Sequence, residues 1–447
     1  MDCFSSLPPE INIMILLCLR TRSNIKPLLS ASPTLLQNYL ESKEHIQRTH
    51  LQAEFPGDML QDALAVANFP SKNPCLHIWD WKEGHLPDPF LHHDSGTIDR
   101  LDRLYSRLAI YIEDYITKAT SIYPPRAYLC IPTPNSNVDQ LEFRGQPIGT
   151  DIIRLDALTY AERKRLFRAF MRYELVSKIH HLEDSLELEV IDSIVALTFK
   201  RFNRFESEAL RCVQYYMKDL YGAIFAHLAD SWLPDIPSET VMETGQQTPD
   251  DGLRFPDDVW FSSDTYVEDA SIGKSKTREL VFLGFDLMTR LLSAPRDDRG
   301  CPMGLTEWLA KIPWRLQQKV WARRLRMYIL FDTASCGFER NHRLAEDRSE
   351  IGQLLHDSGS MAFYFNLPTL CNYCNLQRRI YRQRAWMLLD SADHYPEGSI
   401  SRHFPTVQQL KKQAWNKVDH DPRRSQKWHD YQKEWYFSAF DYKMELL

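Results

Sequence analysis

Glycine is scarce in this chain, with 16 of 447 residues against a usual share of roughly 7%. A shortage of glycine disfavours folds built from glycine-punctuated hairpins and barrels. No two glycines lie two positions apart, and Gly300 and Gly304 are not followed by Lys-Ser or Lys-Thr. The chain therefore lacks both the dinucleotide-binding and the Walker-type phosphate loops. His-Glu-x-x-His and Gly-x-Ser-x-Gly are also missing, so we expect a protein that is not an enzyme.

Long apolar runs and a surplus of positive charge are missing as well. The early apolar stretch from Ile11 to Leu19 is interrupted by Asn12 and follows acidic residues. A membrane span needs about 20 apolar residues, and a signal peptide needs a basic start, so we expect neither. The 54 basic and 60 acidic residues give a net charge of −6, which disfavours a general nucleic-acid binder. The nine scattered cysteines favour an intracellular protein of the cytoplasm or nucleus.

What the sequence does contain is helical periodicity, which predicts a mostly α-helical fold. Residues 1–52 form a module of three short helices, in which Pro33 opens the third helix. Residues 53–233 and 277–447 are the two parts of an irregular helical body. Its strongest predicted helices are Tyr160–Ile179, Leu186–Phe199, a helix from Asn203 to Trp232, Glu279–Leu292, Arg315–Phe331, Asn375–Leu389 and one beginning at Val407.

The segment 234–276 differs from its surroundings. It carries ten acidic and three basic residues among Pro, Ser, Thr and Gly, with no apolar period. Such a composition cannot bury enough apolar surface to offset the entropy of ordering the chain. We therefore predict a disordered acidic insertion between the two parts of the body.

The first residues match a known pattern. Leu7, Pro8, Glu10 and Ile11, followed by Ile15 and Leu19, resemble the opening of the F-box, the module that docks substrate receptors onto the Skp adaptor of Skp–cullin–F-box ubiquitin ligases. Ala31-Ser32 takes the place of the family's Val-Ser step. Three departures are an extra residue before Asn24, Pro27 within the second helix, and Leu35 where Trp is usual.

The likeness extends into the body. Segments 31–36, 62–67, 162–170 and 205–216 are similar to those of a large set of F-box-like proteins from filamentous fungi, in which a short F-box precedes a long helical region of unassigned role. The resemblance implies a protein-interaction protein that acts as a substrate receptor. Its implied partners are the Skp adaptor and a client protein, and it implies no cofactor or metal.

The residues that would bind the adaptor can be named from helical spacing. Ile11, Met14, Ile15 and Cys18 fall on one face of the first helix, as docking anchors at i, i+3 and i+4 do. Leu7 and Pro8 give that helix a stiff apolar lead-in, and Leu28 is the matching residue of the second helix. The alternative is a free-standing helical scaffold in which these same residues are buried against the rest of the chain.

Other candidate sites carry weaker signals. Cys371 and Cys374 form a single Cys-x-x-Cys, which lacks the second pair of a closed zinc site and is typical of core thiols. His92-His93 and His180-His181 are adjacent, so they point to different helix faces. Three basic stretches around Arg163–Arg172, Arg315–Arg326 and Arg378–Arg384 favour solvated faces or ion pairs between helices, with RNA binding as the alternative.

Overall fold

A computed structural model describes residues 2–19, 22–70, 74–133, 139–180, 204–228, 280–294 and 375–410, together with Phe202, Leu233, Trp260, Phe261, Ser263 and Leu367. The predicted mostly helical fold is confirmed. The chain opens with three helices, α1 (Pro9–Cys18), α2 (Arg22–Ala31) and α3 (Pro33–Glu54). We refer to these three helices and the residues before them as the N-terminal module.

Local signals place the ends of these helices. Pro9 occupies the first turn of α1, where its missing N–H costs no hydrogen bond. At the start of α3 the Ser32 hydroxyl accepts the Leu35 N–H at 3.1 Å, which satisfies one of the unpaired amides of a helix start. Pro27 does not interrupt the second helix as its position suggested, because α2 continues through it to Ala31.

The N-terminal module has a small core of its own. Leu16 of α1 packs with Leu35 and Ile46 of α3, and all three are almost completely buried. Half-buried side chains surround them, including Phe4, Ile13 and Tyr39 and the α2 residues Ile25, Leu28 and Leu29. This cluster is distinct from the core of the body.

The body is a set of helices around α6 and α8. Its α-helices are α4 (Asp58–Ala67), α5 (Pro74–Glu83), α6 (Ser95–Thr120), α7 (Pro124–Leu129), α8 (Tyr160–His180), α9 (Arg204–Leu228), α10 (Gly284–Ser293), α11 (Asn375–Gln383) and α12 (Ile400–His403). Helix α8 packs against α4, α6, α9 and α10. Stacked aromatic rings contribute to these contacts. Tyr105 of α6 stacks on Phe167 of α8 with ring centroids 4.6 Å apart, and Phe170 of α8 stacks on Phe285 of α10 with centroids 5.3 Å apart.

One β-hairpin was not predicted. Strands β1 (Gln140–Phe143) and β2 (Gln146–Asp151) pair antiparallel. The two residues between them, Arg144 and Gly145, have φ of 52° and 77°, as the tight hairpin turn matched to the strand twist requires. Although glycine is scarce in the chain as a whole, Gly145 lies where the hairpin turn needs a positive φ. The low glycine content therefore does not exclude this hairpin.

Helix boundaries agree with the periodicity in part. Predicted helix Tyr160–Ile179 is confirmed as α8, whereas predicted Glu279–Leu292 is a 3-10 turn at Val281–Leu283 followed by α10. Predicted Asn375–Leu389 is wrong at its end, because α11 stops at Gln383 and Ala385 takes a positive φ of 52°. Residues 407–410 are helical, and α9 is described as far as Leu228.

Several predicted segments fall beyond these ranges. Helices Leu186–Phe199 and Arg315–Phe331, and the pair Cys371 and Cys374, lie outside the described residues. Within the acidic segment 234–276, the structure describes Trp260, Phe261 and Ser263. Phe261 and Ser263 are buried, and Gln383 exchanges hydrogen bonds of 3.2 and 2.8 Å with the Phe261 backbone. At these positions the chain belongs to the folded body.

Candidate protein-docking surface

Helix α1 is divided into an inner and an outer face. Asn12 and Leu16 point into the module and are fully buried. On the opposite side Ile11 is 41% exposed and Met14 is 60% exposed. We call the outward apolar strip the docking ridge; its members are Leu7, Pro8, Ile11, Met14, Ile15 and Cys18.

The remaining members of the ridge extend it at both ends. Leu7 is 37% exposed, Pro8 and Cys18 are exposed, and Ile15 is half-buried. Leu28, predicted to belong to the same site, is half-buried and packs against the small core of the module. Six of the seven predicted residues are thus exposed or half-buried in α1 or just before it, whereas Leu28 is half-buried against the small core of the module.

The lead-in to α1 has a defined conformation. The Leu7 N–H donates to the Phe4 carbonyl at 3.2 Å, and the Ile11 N–H donates to the Pro8 carbonyl at 3.0 Å. The buried Asn12 side chain reaches back and donates its amide to the same Phe4 carbonyl at 3.3 Å. Leu7 and Pro8 are therefore presented from a folded turn.

Helix α3 adds exposed apolar residues that the sequence interpretation did not assign to a site. Leu36 is 41% exposed and Leu40 is 64% exposed, and their i, i+4 spacing puts them on one stripe. Elsewhere in the described residues, the large apolar side chains with comparable exposure are Leu76, Trp79, Leu91, Ile122 and Tyr160. Five of the ten large apolar side chains exposed in the described residues thus lie in the N-terminal module, and a contiguous patch of such side chains is a feature of interaction surfaces.

The second half of α3 connects the module to the body. Lys43 Nζ lies 3.0 Å from Asp99 Oδ1, and the Gln47 amide donates to Asp102 at 2.8 Å. One turn later Leu51 is completely buried in the core of the body. Helix α3 is kinked at Ser42 (φ −114°, ψ 15°), and its second half supplies Ile46 to the core of the module and Leu51 to the core of the body. A boundary at residue 52 therefore cuts through shared packing.

Several arginines of α8 form ion pairs with carboxylates of the protein itself. Arg172 contacts Asp62 at 2.9 Å and Glu206 at 2.5 Å. Asp62 also accepts the indole N–H of Trp81 at 2.8 Å. Arg163 lies 3.7 Å from Glu54, and Arg165 pairs with Asp390. These pairs join three α8 arginines to carboxylates elsewhere in the fold, as in the ion-pair interpretation that was favoured over RNA binding.

The basic stretch of α11 and the residue after it also contact other parts of the protein. Arg382 forms two hydrogen bonds with Glu208, at 2.7 and 2.8 Å, and both residues are buried. Arg384 is almost fully buried, and the Arg379 guanidinium lies 5.6 Å from the centre of the Trp260 ring. The stretch Arg315–Arg326 lies outside the described residues.

The histidine candidates take separate positions. His92 and His93 are exposed, and His93 Nδ1 lies 3.3 Å from Arg48 Nη1. His180 ends α8, and His181 lies outside the described residues. Across the described ranges, no group of three or more His, Cys, Asp or Glu side chains could hold a metal ion.

Comparisons of the chain with family models, with curated proteins and with solved structures find no match. In the part of the chain that the structure describes, no helix has both the length and the apolar character that a membrane span requires.

Proposed function

We propose that this chain is a non-enzymatic interaction protein whose N-terminal module docks onto the Skp adaptor of a Skp–cullin–F-box ubiquitin ligase. The helical body then serves as the receptor for a client protein. The observation that carries the proposal is the outward docking ridge: Ile11 and Met14 are exposed on a module whose own core is filled by Leu16, Leu35 and Ile46.

Energetics favour a partner on this ridge. Burying a fully exposed Met or Ile side chain contributes roughly 1.5–3 kcal/mol, and a partner would bury the 60% of Met14 and the 41% of Ile11 that remain exposed. Several such anchors in one strip, spaced at i, i+3 and i+4, match the way a helix binds a groove or bundle of another protein. The match of Leu7, Pro8, Glu10 and Ile11 to the F-box opening supports the Skp adaptor as that partner.

The proposal is tested by complex formation. Purified full-length chain is mixed with Skp adaptor and analysed by size-exclusion chromatography, and we expect co-elution. The triple variant Leu7→Lys, Pro8→Ser, Ile11→Asp should elute separately from the adaptor. As a matched control, Leu76→Lys with Leu91→Ser changes two exposed apolar residues of the body and should leave the complex intact. No complex with the wild type, or equal binding by the triple variant, contradicts the proposal.

A free-standing helical scaffold is the second candidate, and the course of α3 favours it. The shared helix, with Gln47 bound to Asp102 and Leu51 in the body core, makes the module continuous with the body. Deleting residues 1–52 would remove these contacts under either function. The point variants of the ridge therefore separate the two candidates better than the deletion does.

A further inference from the structure

The beginning of the chain is fastened to the start of α3 by one carboxylate. Asp2 Oδ2 accepts the Ser32 hydroxyl at 2.7 Å and the Thr34 N–H at 3.1 Å. Its other oxygen, Oδ1, accepts the Phe4 N–H at 3.0 Å. The Ser32 hydroxyl, which is buried, also accepts the Leu35 N–H. Asp2 thus extends the cap of α3 and joins it to the segment that precedes α1.

From Asp2 the chain turns tightly to the ridge. The Asp2 carbonyl accepts the Ser5 N–H at 3.2 Å and the Ser5 hydroxyl at 2.7 Å. Phe4 packs against the core of the module, and its carbonyl accepts from Leu7 and Asn12. The chain between Asp2 and Leu7 is held at both ends, and its last residue is the first member of the docking ridge.

The charge of Asp2 is suited to this position. The hydrogen bond from Ser32, with those from Phe4 and Thr34, lowers the pKa of Asp2 to about 2. The carboxylate is therefore ionised at neutral pH, and a hydrogen bond to an ionised acceptor is stronger than one between neutral groups.

We infer that Asp2 is a positioning residue for docking: it holds Leu7 and Pro8 in the conformation that the adaptor binds. This inference rests on the proposed function. A segment that is already ordered loses less conformational entropy when it binds, so fixing it in advance strengthens binding without any contact to the partner. Asp2 acts through the turn it anchors and need not touch the adaptor.

The experiment measures both order and affinity in the full-length chain. Asp2→Leu removes the carboxylate at similar side-chain size, and Glu44→Gln, at an exposed carboxylate of α3, is the matched control. In the free chain, hydrogen exchange over residues 2–8 should become faster in Asp2→Leu and stay unchanged in Glu44→Gln. In calorimetric titration with Skp adaptor, Asp2→Leu should bind about tenfold more weakly, and Glu44→Gln should bind as the wild type does.

The outcomes separate the two proposals. Wild type and Asp2→Leu binding the adaptor equally well would overturn the role of Asp2 and leave docking intact. Failure of the wild type to bind would overturn both. If hydrogen exchange in Asp2→Leu becomes faster throughout α1–α3, the variant has disturbed the whole module, and Asp2→Asn is used in its place. Asp2→Asn keeps one carbonyl acceptor and should bind the adaptor with an affinity between those of the wild type and Asp2→Leu. Wild-type affinity in Asp2→Asn would contradict the inference.

Discussion

Glu162, at the start of α8, holds His394 from a distant part of the chain. Glu162 Oε1 lies 2.9 Å from His394 Nε2 and accepts the Asp390 N–H at 2.8 Å. The other oxygen, Oε2, accepts the Thr159 N–H at 2.9 Å, and the Thr159 hydroxyl accepts the Glu162 N–H at 3.2 Å. This reciprocal pair is a capping box, so one buried carboxylate both caps α8 and fixes residues 390–394 against it.

Stability should depend on pH through this contact. The hydrogen bond to Glu162 raises the pKa of His394 above its ordinary value of 6.5, although desolvation opposes the shift. A raised histidine pKa stabilises the fold fully below the unfolded value and loses this effect as pH rises through the folded value. We expect the free energy of unfolding in urea to fall relative to His394→Gln as pH is raised above 6.5. If the free energy of unfolding of His394→Gln changes with pH as steeply as that of the wild type, the prediction is contradicted. His45→Gln, at an exposed histidine of α3, is the control and should behave as the wild type does.

The Glu162 carboxylate should also make the stability of the fold depend on pH below about 4.5. Burial alone raises the pKa of Glu162, but hydrogen bonds from His394, Asp390 and Thr159 outweigh it and lower the pKa to about 2. A lowered carboxylate pKa stabilises the fold above the unfolded value, here about 4.5, and this effect is lost as pH falls towards 2. Glu162→Gln should therefore unfold with less dependence on pH between 4.5 and 2 than the wild type. Equal dependence in the two proteins would contradict the assignment.

The buried pair of Glu208 and Arg382 should be costly to break from one side. Their two hydrogen bonds join α9 to α11, and Glu208 has a lowered pKa because Arg382 outweighs the desolvation of its carboxylate. Removing one partner of such a pair leaves an uncompensated buried charge and costs about 3–5 kcal/mol. We expect Glu208→Gln to lower the free energy of unfolding by this amount in denaturant titration.

A surface pair provides the comparison. Lys43 and Asp99 are 3.0 Å apart, but each side chain is 40% exposed, and such pairs contribute about 0–1 kcal/mol. Lys43→Met should therefore change stability far less than Glu208→Gln. Similar losses from the two variants would contradict the expected difference between a buried and a surface ion pair.

Gly284 should tolerate alanine poorly for two separate reasons. Its φ of 67° and ψ of −170° lie in a region that is essentially restricted to glycine. An added Cβ would also lie 2.6 Å from Glu174 Oε2 and 3.0 Å from Ser177 Cβ. Glu174 accepts the Phe285 N–H at the start of α10, so the clash would disturb the docking of α10 on α8.

The matched position is Gly398, which has a φ of +71° and open space around its missing Cβ. Gly284→Ala should lower the free energy of unfolding by about 1–3 kcal/mol, and Gly398→Ala should cost less because it meets no neighbour. Thermal unfolding of the two variants measures the difference. An equal cost would mean that the Glu174 contact contributes nothing.

Periodicity predicted those helices whose buried faces repeat along the sequence. Helix α8 was predicted to within one residue, because Leu166, Phe170 and Tyr173 mark its inner face, and Pro33 correctly marked the start of α3. The end of α11 was missed because it depends on a distant contact. Apolar residues continue to Leu389, but the Gln383 side chain turns to Asp219 and Phe261, and the backbone leaves the helix at Ala385.

The outward strip of α1 could be proposed from spacing alone, since Ile11, Met14 and Ile15 share a face. Spacing alone could not predict which apolar residues face inward, because α1 is apolar on nearly every side. Leu16 is buried because α3 packs against its side of the helix. The role of Asp2 was equally hidden. Nothing in the order of residues links it to Ser32, thirty positions away, and only the folded module brings the two together.

The most direct measurement is the affinity of the full-length chain for the Skp adaptor when a single ridge residue carries a charge. Met14→Asp places a carboxylate at a position of α1 where the side chain is 60% exposed, and burying that charge in an interface should weaken binding by about a hundredfold. Leu91→Asp makes the same change at an exposed leucine of the body and should bind as the wild type does. Calorimetric titration in which the wild type gives no binding, or in which the two variants bind equally well, would contradict docking through the ridge.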